Sequence, residues 1–249
     1  MDSSTPTGTG ETPAPMSFPA RLAAVFIEPR DTFADIARRP DFIAPLMVGV
    51  ISAVTLAETT LAKIGMERII RNSLEQGGQA ARMSAEQLEQ AVSQGAKVGS
   101  IFAHLSGLLG PPIYLLIVAA IGLAILNSFF GSELKFKTVF SVACYSNLVA
   151  VVGVLMGLAV ILFGDVERFN PQNPAPTNIG FFLNPLETSK PLLALTSSYD
   201  VFTIWFLSLL GIGLSEAAGR KVKARSIFLV YFGLWSVWVL GKVGFATLM

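Results

Sequence analysis

This chain is short of the residues that most catalytic and metal sites require. Its 249 residues include one histidine, His104, and one cysteine, Cys144. A single histidine cannot supply the paired ligands of an HExxH zinc site. A single cysteine closes no internal disulfide, and Cys144 lies within an uncharged stretch that says nothing of redox compartment. Ser106 sits near His104, but no other histidine is available to act as its base from a separate helix. There is no phosphate-cradling glycine-rich loop. Charge is scarce as well: 14% of residues are Asp, Glu, Lys or Arg, against roughly 25% in soluble domains. Lysine plus arginine number 18 against 17 acidic residues, a balance that argues against nucleic acid as a partner. These absences predict a protein that is not an enzyme and has no cofactor, metal ligand or catalytic residue.

What the chain has instead is length without charge. Val98 to Phe130 runs 33 residues with no Asp, Glu, Lys or Arg, and Thr138 to Gly164 runs 27. A helix needs about 20 residues to cross a bilayer core about 30 Å thick. Phe42 to Leu61, Leu192 to Ser215 and Ser226 to Met249 are further candidates, each interrupted by one ionisable residue. The expected fold is therefore all-α: a polytopic membrane protein with five transmembrane helices, at about 42–61, 98–130, 138–164, 192–215 and 226–249.

The segments outside the spans divide by composition. Residues 1–16, rich in Ser, Thr, Gly and Pro, read as a disordered tail. No basic region followed by an apolar stretch precedes the first span, which is expected to act as an uncleaved anchor. Residues 17–41 carry Pro19, Pro29 and Pro40, with Leu22, Val25 and Phe26 on one stripe and Phe33, Ile36 and Ala37 on another. Such short amphipathic helices are expected to lie along the membrane surface; core helices of a small soluble lobe are the alternative. Between the first two spans, 63–97 reads as a helical hairpin outside the bilayer. Gly77-Gly78 breaks it, and Ser84 with Gln87 forms a capping box. Pro111-Pro112 predicts that the second span starts or kinks there. The loop from Asp165 to Pro191, with five prolines and four asparagines, reads as irregular and exposed.

Basic residues set the expected orientation. A cytoplasmic N-terminus places ten of them inside and seven outside, and the short last loop concentrates Arg220, Lys221, Lys223 and Arg225. The C-terminus is then external. Small residues at helical spacing, Gly153 and Gly157, then Gly211, Ser215 and Gly219, let helix backbones approach closely. They serve packing within the bundle or, alternatively, a face for a homo-oligomer.

Glu58, Asp200 and Lys242 are ionisable residues inside otherwise apolar spans, where charge is costly and tends to find a partner. Counted from the inner span ends at 1.5 Å per residue, they lie at roughly 24, 22 and 24 Å. One level in the outer third makes them a candidate polar cluster; independent snorkelling to the outer headgroups is the competing reading. Tyr199-Asp200 is half of an intramembrane aspartyl protease pattern, but Leu162-Phe163-Gly164-Asp165 lacks the first glycine of the other half.

Three stretches carry a family resemblance: Ile27 to Leu46 (IEPRDTFADIARRPDFIAPL), Lys135 to Gly153 (KFKTVFSVACYSNLVAVVG) and Ser197 to Ser226 (SSYDVFTIWFLSLLGIGLSEAAGRKVKARS). They resemble bacterial members of the Yip family, named from the eukaryotic Ypt/Rab-interacting proteins. The resemblance covers roughly Phe18 to Leu248 and implies a five-span helical protein of the bacterial cytoplasmic membrane with a cytoplasmic N-terminus. The Asp-Leu-Tyr-Gly-Pro motif of the eukaryotic members is absent, so Rab binding is not carried over. The expected role is a non-enzymatic integral membrane protein that organises membrane or binds an unidentified protein partner, in contact with membrane lipids. A small transporter or channel using the outer polar cluster is the alternative.

Overall fold

The structure is a computed structural model that describes residues 16–164, 173, 175–185 and 187–248. The tail before Met16 and residues 165–172 of the proline-rich loop lie outside the described residues. Among the described residues ten α-helices follow in order: α1 (Phe18–Ile27), α2 (Pro29–Arg38), α3 (Ile43–Lys63), α4 (Met66–Gln76), α5 (Ala85–Phe130), α6 (Phe136–Ser146), α7 (Leu148–Phe163), α8 (Lys190–Thr196), α9 (Val201–Ala217) and α10 (Ala224–Leu248). Among the described residues there is no strand, so the all-α class holds.

Four helical runs are long and apolar enough to span: α3, α5, the α6–α7 run and α10. Joined as one bent span, α8 and α9 make a fifth. The fourth span is thus not the single helix its composition predicts. It bends by 44° between Thr196 and Val201, where Asp200 turns its side chain onto the Thr203 N–H at 2.8 Å and opens α9 as an N-cap. The third span changes helix at Asn147.

The hairpin and its cap follow the sequence. Gly78 adopts φ 70° after α4, and Ser84 and Gln87 exchange the two capping-box bonds at 3.2 and 2.9 Å. From that cap α5 runs 46 residues through Pro111 and Pro112 without a break. Of the helix start or kink expected at the prolines, the start is not what the structure shows, since α5 is one helix of about 69 Å. Its flanks are held by other helices: Gly95 and Gly99 sit against Ile70 and Met66 of α4, and Gly107 against Val54 and Ala57 of α3. Neighbouring helices allow prolines inside a span because the helix need not be stable alone.

The core gathers at one end of the bundle, where α1, α2, α6 and the C-terminal half of α9 meet. Val139 to Ser146 of α6 are buried on every side, the pattern of a central helix. The apolar stripes of α1 and α2 are real, but protein covers them: Val25, Phe33 and Ile36 are fully buried. Gly213 makes this contact. A Cβ there would come within 2.5 Å of Val142 and 2.8 Å of Phe33. At Gly211 a Cβ would meet the Ala224 carbonyl oxygen at 2.9 Å, and the Ser215 hydroxyl donates to the Val222 carbonyl at 2.7 Å. The small residues of α9 thus pack helices within the chain. Phe42 meets Phe140 edge-on at 5.0 Å, which puts the start of α3 and the α5–α6 loop at this same end. The loop joining α9 to α10 is there too, since Arg220 and Lys223 line one cleft with Arg30 of α2.

Candidate functional site

The most built polar site is one that the sequence does not announce. Arg21 of α1 is 3% exposed. Its Nε and Nη2 donate to Oδ2 of Asp35 at 2.9 and 2.8 Å, and Nη1 donates to the Arg39 carbonyl at 3.3 Å and to Asp41. Asp41 in turn accepts from the Tyr145 hydroxyl at 2.9 Å, across 104 positions of sequence. Arg38 adds a longer contact to Asp35 at 3.7 Å. Burial works against the charge on Arg21, but hydrogen bonds and attraction from Asp35 and Tyr145 outweigh it and raise the guanidinium above its ordinary value. The network ties α1, α2, the approach to α3 and α6 into one unit. Composition could have flagged only its parts, because Arg21, Asp35 and Asp41 are unremarkable in a polar, proline-punctuated segment.

The three ionisable residues of the spans do not share one contact. Glu58 of α3 faces His104 of α5, with Oε1 and Nδ1 2.6 Å apart, and both side chains are about half exposed. Asp200 accepts from the Thr203 N–H and, at 2.9 Å, from the Thr203 hydroxyl. Lys242 donates to the Ser198 hydroxyl at 3.3 Å and lies over the Trp238 ring, 5.7 Å from its centroid. Among the described residues no ion pair joins Lys242 to either acid. The pair of His104 with Glu58 has a sequence signal in hindsight: both lie in apolar stretches that become neighbouring antiparallel helices.

Of the basic loop, Arg220 is held by Glu216 at 2.9 and 3.1 Å, which raises its guanidinium above the ordinary value. Lys221, Lys223 and Arg225 are exposed. Arg30 of α2, Arg220 and Lys223 border one cleft of about 240 Å³, so the loop and the N-terminal helices share a basic surface.

A larger cavity, about 370 Å³, opens among α3, α5, α7, Asn173, the 175–178 segment and the start of α9. Asp200, Thr203, Asn147 and Tyr114 reach it, together with Phe202 and Phe206. Neither Glu58 nor Lys242 lines it. No group of three or more His, Cys, Asp or Glu side chains suited to a metal occurs among the described residues.

Comparison with known proteins agrees with this architecture. The Yip1 domain matches residues 23–243. Membrane protein YknW of Bacillus subtilis (strain 168) is 25% identical over 226 residues, 88% of this chain and 88% of that protein. No solved structure matches the chain. A match that takes in α2 through most of α10, on a helical chain of spanning length, identifies an integral membrane protein that belongs to the Yip1 domain family.

Proposed function

We propose that this protein is a non-catalytic membrane organiser whose working surface is the end formed by α1, α2 and the α9–α10 loop. The observation that carries this reading is the Arg21 network. It fixes the two N-terminal helices against the bundle, and beside it Arg30 of α2 lines one cleft with Arg220 and Lys223, three basic side chains against the one acid, Glu216. A rigid, charged face suits an acidic protein partner or the anionic headgroups of membrane lipids. A homo-oligomer fits the same description, since apolar surface on α5 and α10 is exposed along the spans. The transporter reading needs one cavity reaching Glu58, Asp200 and Lys242, and the cavity described takes in Asp200 alone of the three.

This reading places the basic face and the N-terminus in the cytoplasm of a bacterium and the C-terminus outside. A reporter fused after Met249 is expected to be active only in the external compartment; cytoplasmic activity overturns the orientation. Crosslinking and pull-down of the intact protein from its native membrane test the role. Capture of a defined protein set that is lost on replacing Arg30 and Lys223 with Gln supports docking at this face. A capture set unchanged by those substitutions refutes it.

A further inference from the structure

Three irregularities in the spanning helices converge on one place. The third span changes helix at Asn147, the fourth breaks before Asp200, and α5 carries Pro111 and Pro112. Asn147 and Tyr114 line both the 370 Å³ cavity and a neighbouring one of about 320 Å³, and Pro111 lines the second. Each proline lacks the N–H that would bond the carbonyl four residues earlier, so the helix leaves Gly107 and Leu108 without their usual donors. Non-helical backbone at membrane depth is tolerated where it is buried in protein or lines a cavity. Broken spans facing such a cavity are also how membrane proteins build midplane sites for polar ligands.

The chemistry of the larger cavity narrows the ligand. Among the described residues, Asp200 is its one charged lining residue and no lysine, arginine or histidine is ion-paired with it. A carboxylate inside a span needs a counter-charge. One carboxylate without further acidic ligands is a poor match for a divalent cation, which takes several oxygen donors and usually more than one carboxylate. Three aromatic side chains line the same cavity instead: Tyr114 and Phe206, with ring centroids 5.9 Å apart, and Phe202. Aromatic faces beside a carboxylate attract an organic cation through ring quadrupole and charge together. Phe202 reaches the cavity wall because Gly153 has no side chain; a Cβ there would meet its ring at 3.1 Å. The volume lies in the range of small-molecule pockets.

We propose that this cavity binds a small organic ammonium group, held by the Asp200 carboxylate against the rings of Tyr114, Phe202 and Phe206. A free amine and the headgroup of an aminophospholipid share that chemistry. The proposal stands apart from partner docking at the basic face, and neither depends on the other.

The full chain in nanodiscs provides the test, with two arms. In phosphatidylglycerol nanodiscs, which contain no ammonium lipid, binding of radiolabelled ethanolamine and choline is measured. In nanodiscs that also contain phosphatidylethanolamine, retention of that lipid is read by native mass spectrometry. Saturable binding in the first arm identifies a free ammonium compound, and retention in the second alone identifies the headgroup. Asp200→Asn removes the charge yet keeps a side chain that caps helices equally well, so the fold is retained. It is expected to weaken binding about tenfold or more, the scale of a lost charge-assisted contact. Gly153→Leu, which adds bulk at the Phe202 wall and leaves the charge alone, is expected to do the same. No binding by the unmodified protein in either arm overturns the proposal. Full-strength binding by either variant overturns it too.

Discussion

At the end built by α1 and α2, Arg21 is almost wholly buried and is met by two carboxylates and a backbone carbonyl. At the break between α8 and α9, Asp200 has the N–H and hydroxyl of Thr203 as its hydrogen-bond partners and lines a cavity. The first arrangement spends its charges on one another and becomes structure. The second leaves a charge with unspent capacity, which is what a binding site requires. A buried ion pair adds little net stability once desolvation is counted, yet breaking it is costly because it strands the partner. That asymmetry gives the two regions different responses to mutation.

The largest effect is expected at Arg21. Arg21→Ala leaves Asp35 buried without its main partner and should destabilise the protein by about 3–5 kcal/mol, read from denaturant or thermal unfolding in detergent. Adding Asp35→Leu should recover much of that loss, whereas an additive double variant would mean that the ion pair is not coupled. Tyr145→Phe removes one hydrogen bond to a carboxylate and keeps the ring, so a loss of about 1.5–3 kcal/mol is expected. A loss below about 0.5 kcal/mol in the same assay would show that Asp41 finds water as readily as Tyr145. Ser84→Ala tests a region remote from both, the hairpin cap. It should cost about 1 kcal/mol and speed amide exchange in the first turns of α5 without touching the core. Smallest of all is the coupling between Lys242 and Asp200. With no ion pair between them, Asp200→Asn and Lys242→Met should add to within about 0.5 kcal/mol in a double-mutant cycle. Strong mutual rescue would show that the lysine, and not a ligand, neutralises the acid.

Some of this architecture is plain in one dimension. The positions of the apolar runs, the break at Gly77-Gly78 and the exchange between Ser84 and Gln87 depend on residues within a few positions of one another. The Asp200 cap was equally local: an aspartate three residues before Thr203, at the head of an apolar run, is an N-cap pattern that a count of apolar residues passes over. Pro111-Pro112 misleads for the opposite reason. Local rules place a helix boundary there, and the flanking contacts from α3 and α4 override them.

By itself the sequence determined which stretches are apolar and long enough to cross a bilayer, because hydrocarbon selects for uncharged length and that property needs no neighbours. It also determined that α1 and α2 would each have an apolar face. What covers that face was decided by tertiary structure. Phe33 reaches Val142 and Gly213 only once α6 and α9 stand side by side, and an amphipathic stripe fits lipid and protein equally well. The same holds for charge. Arg21 meets Tyr145 through Asp41 across more than a hundred positions, and Glu58 meets His104 instead of Lys242. Composition and spacing show which charges need partners. The packing of helices distant in sequence decides which partner each one receives, and leaves Asp200 lining a cavity.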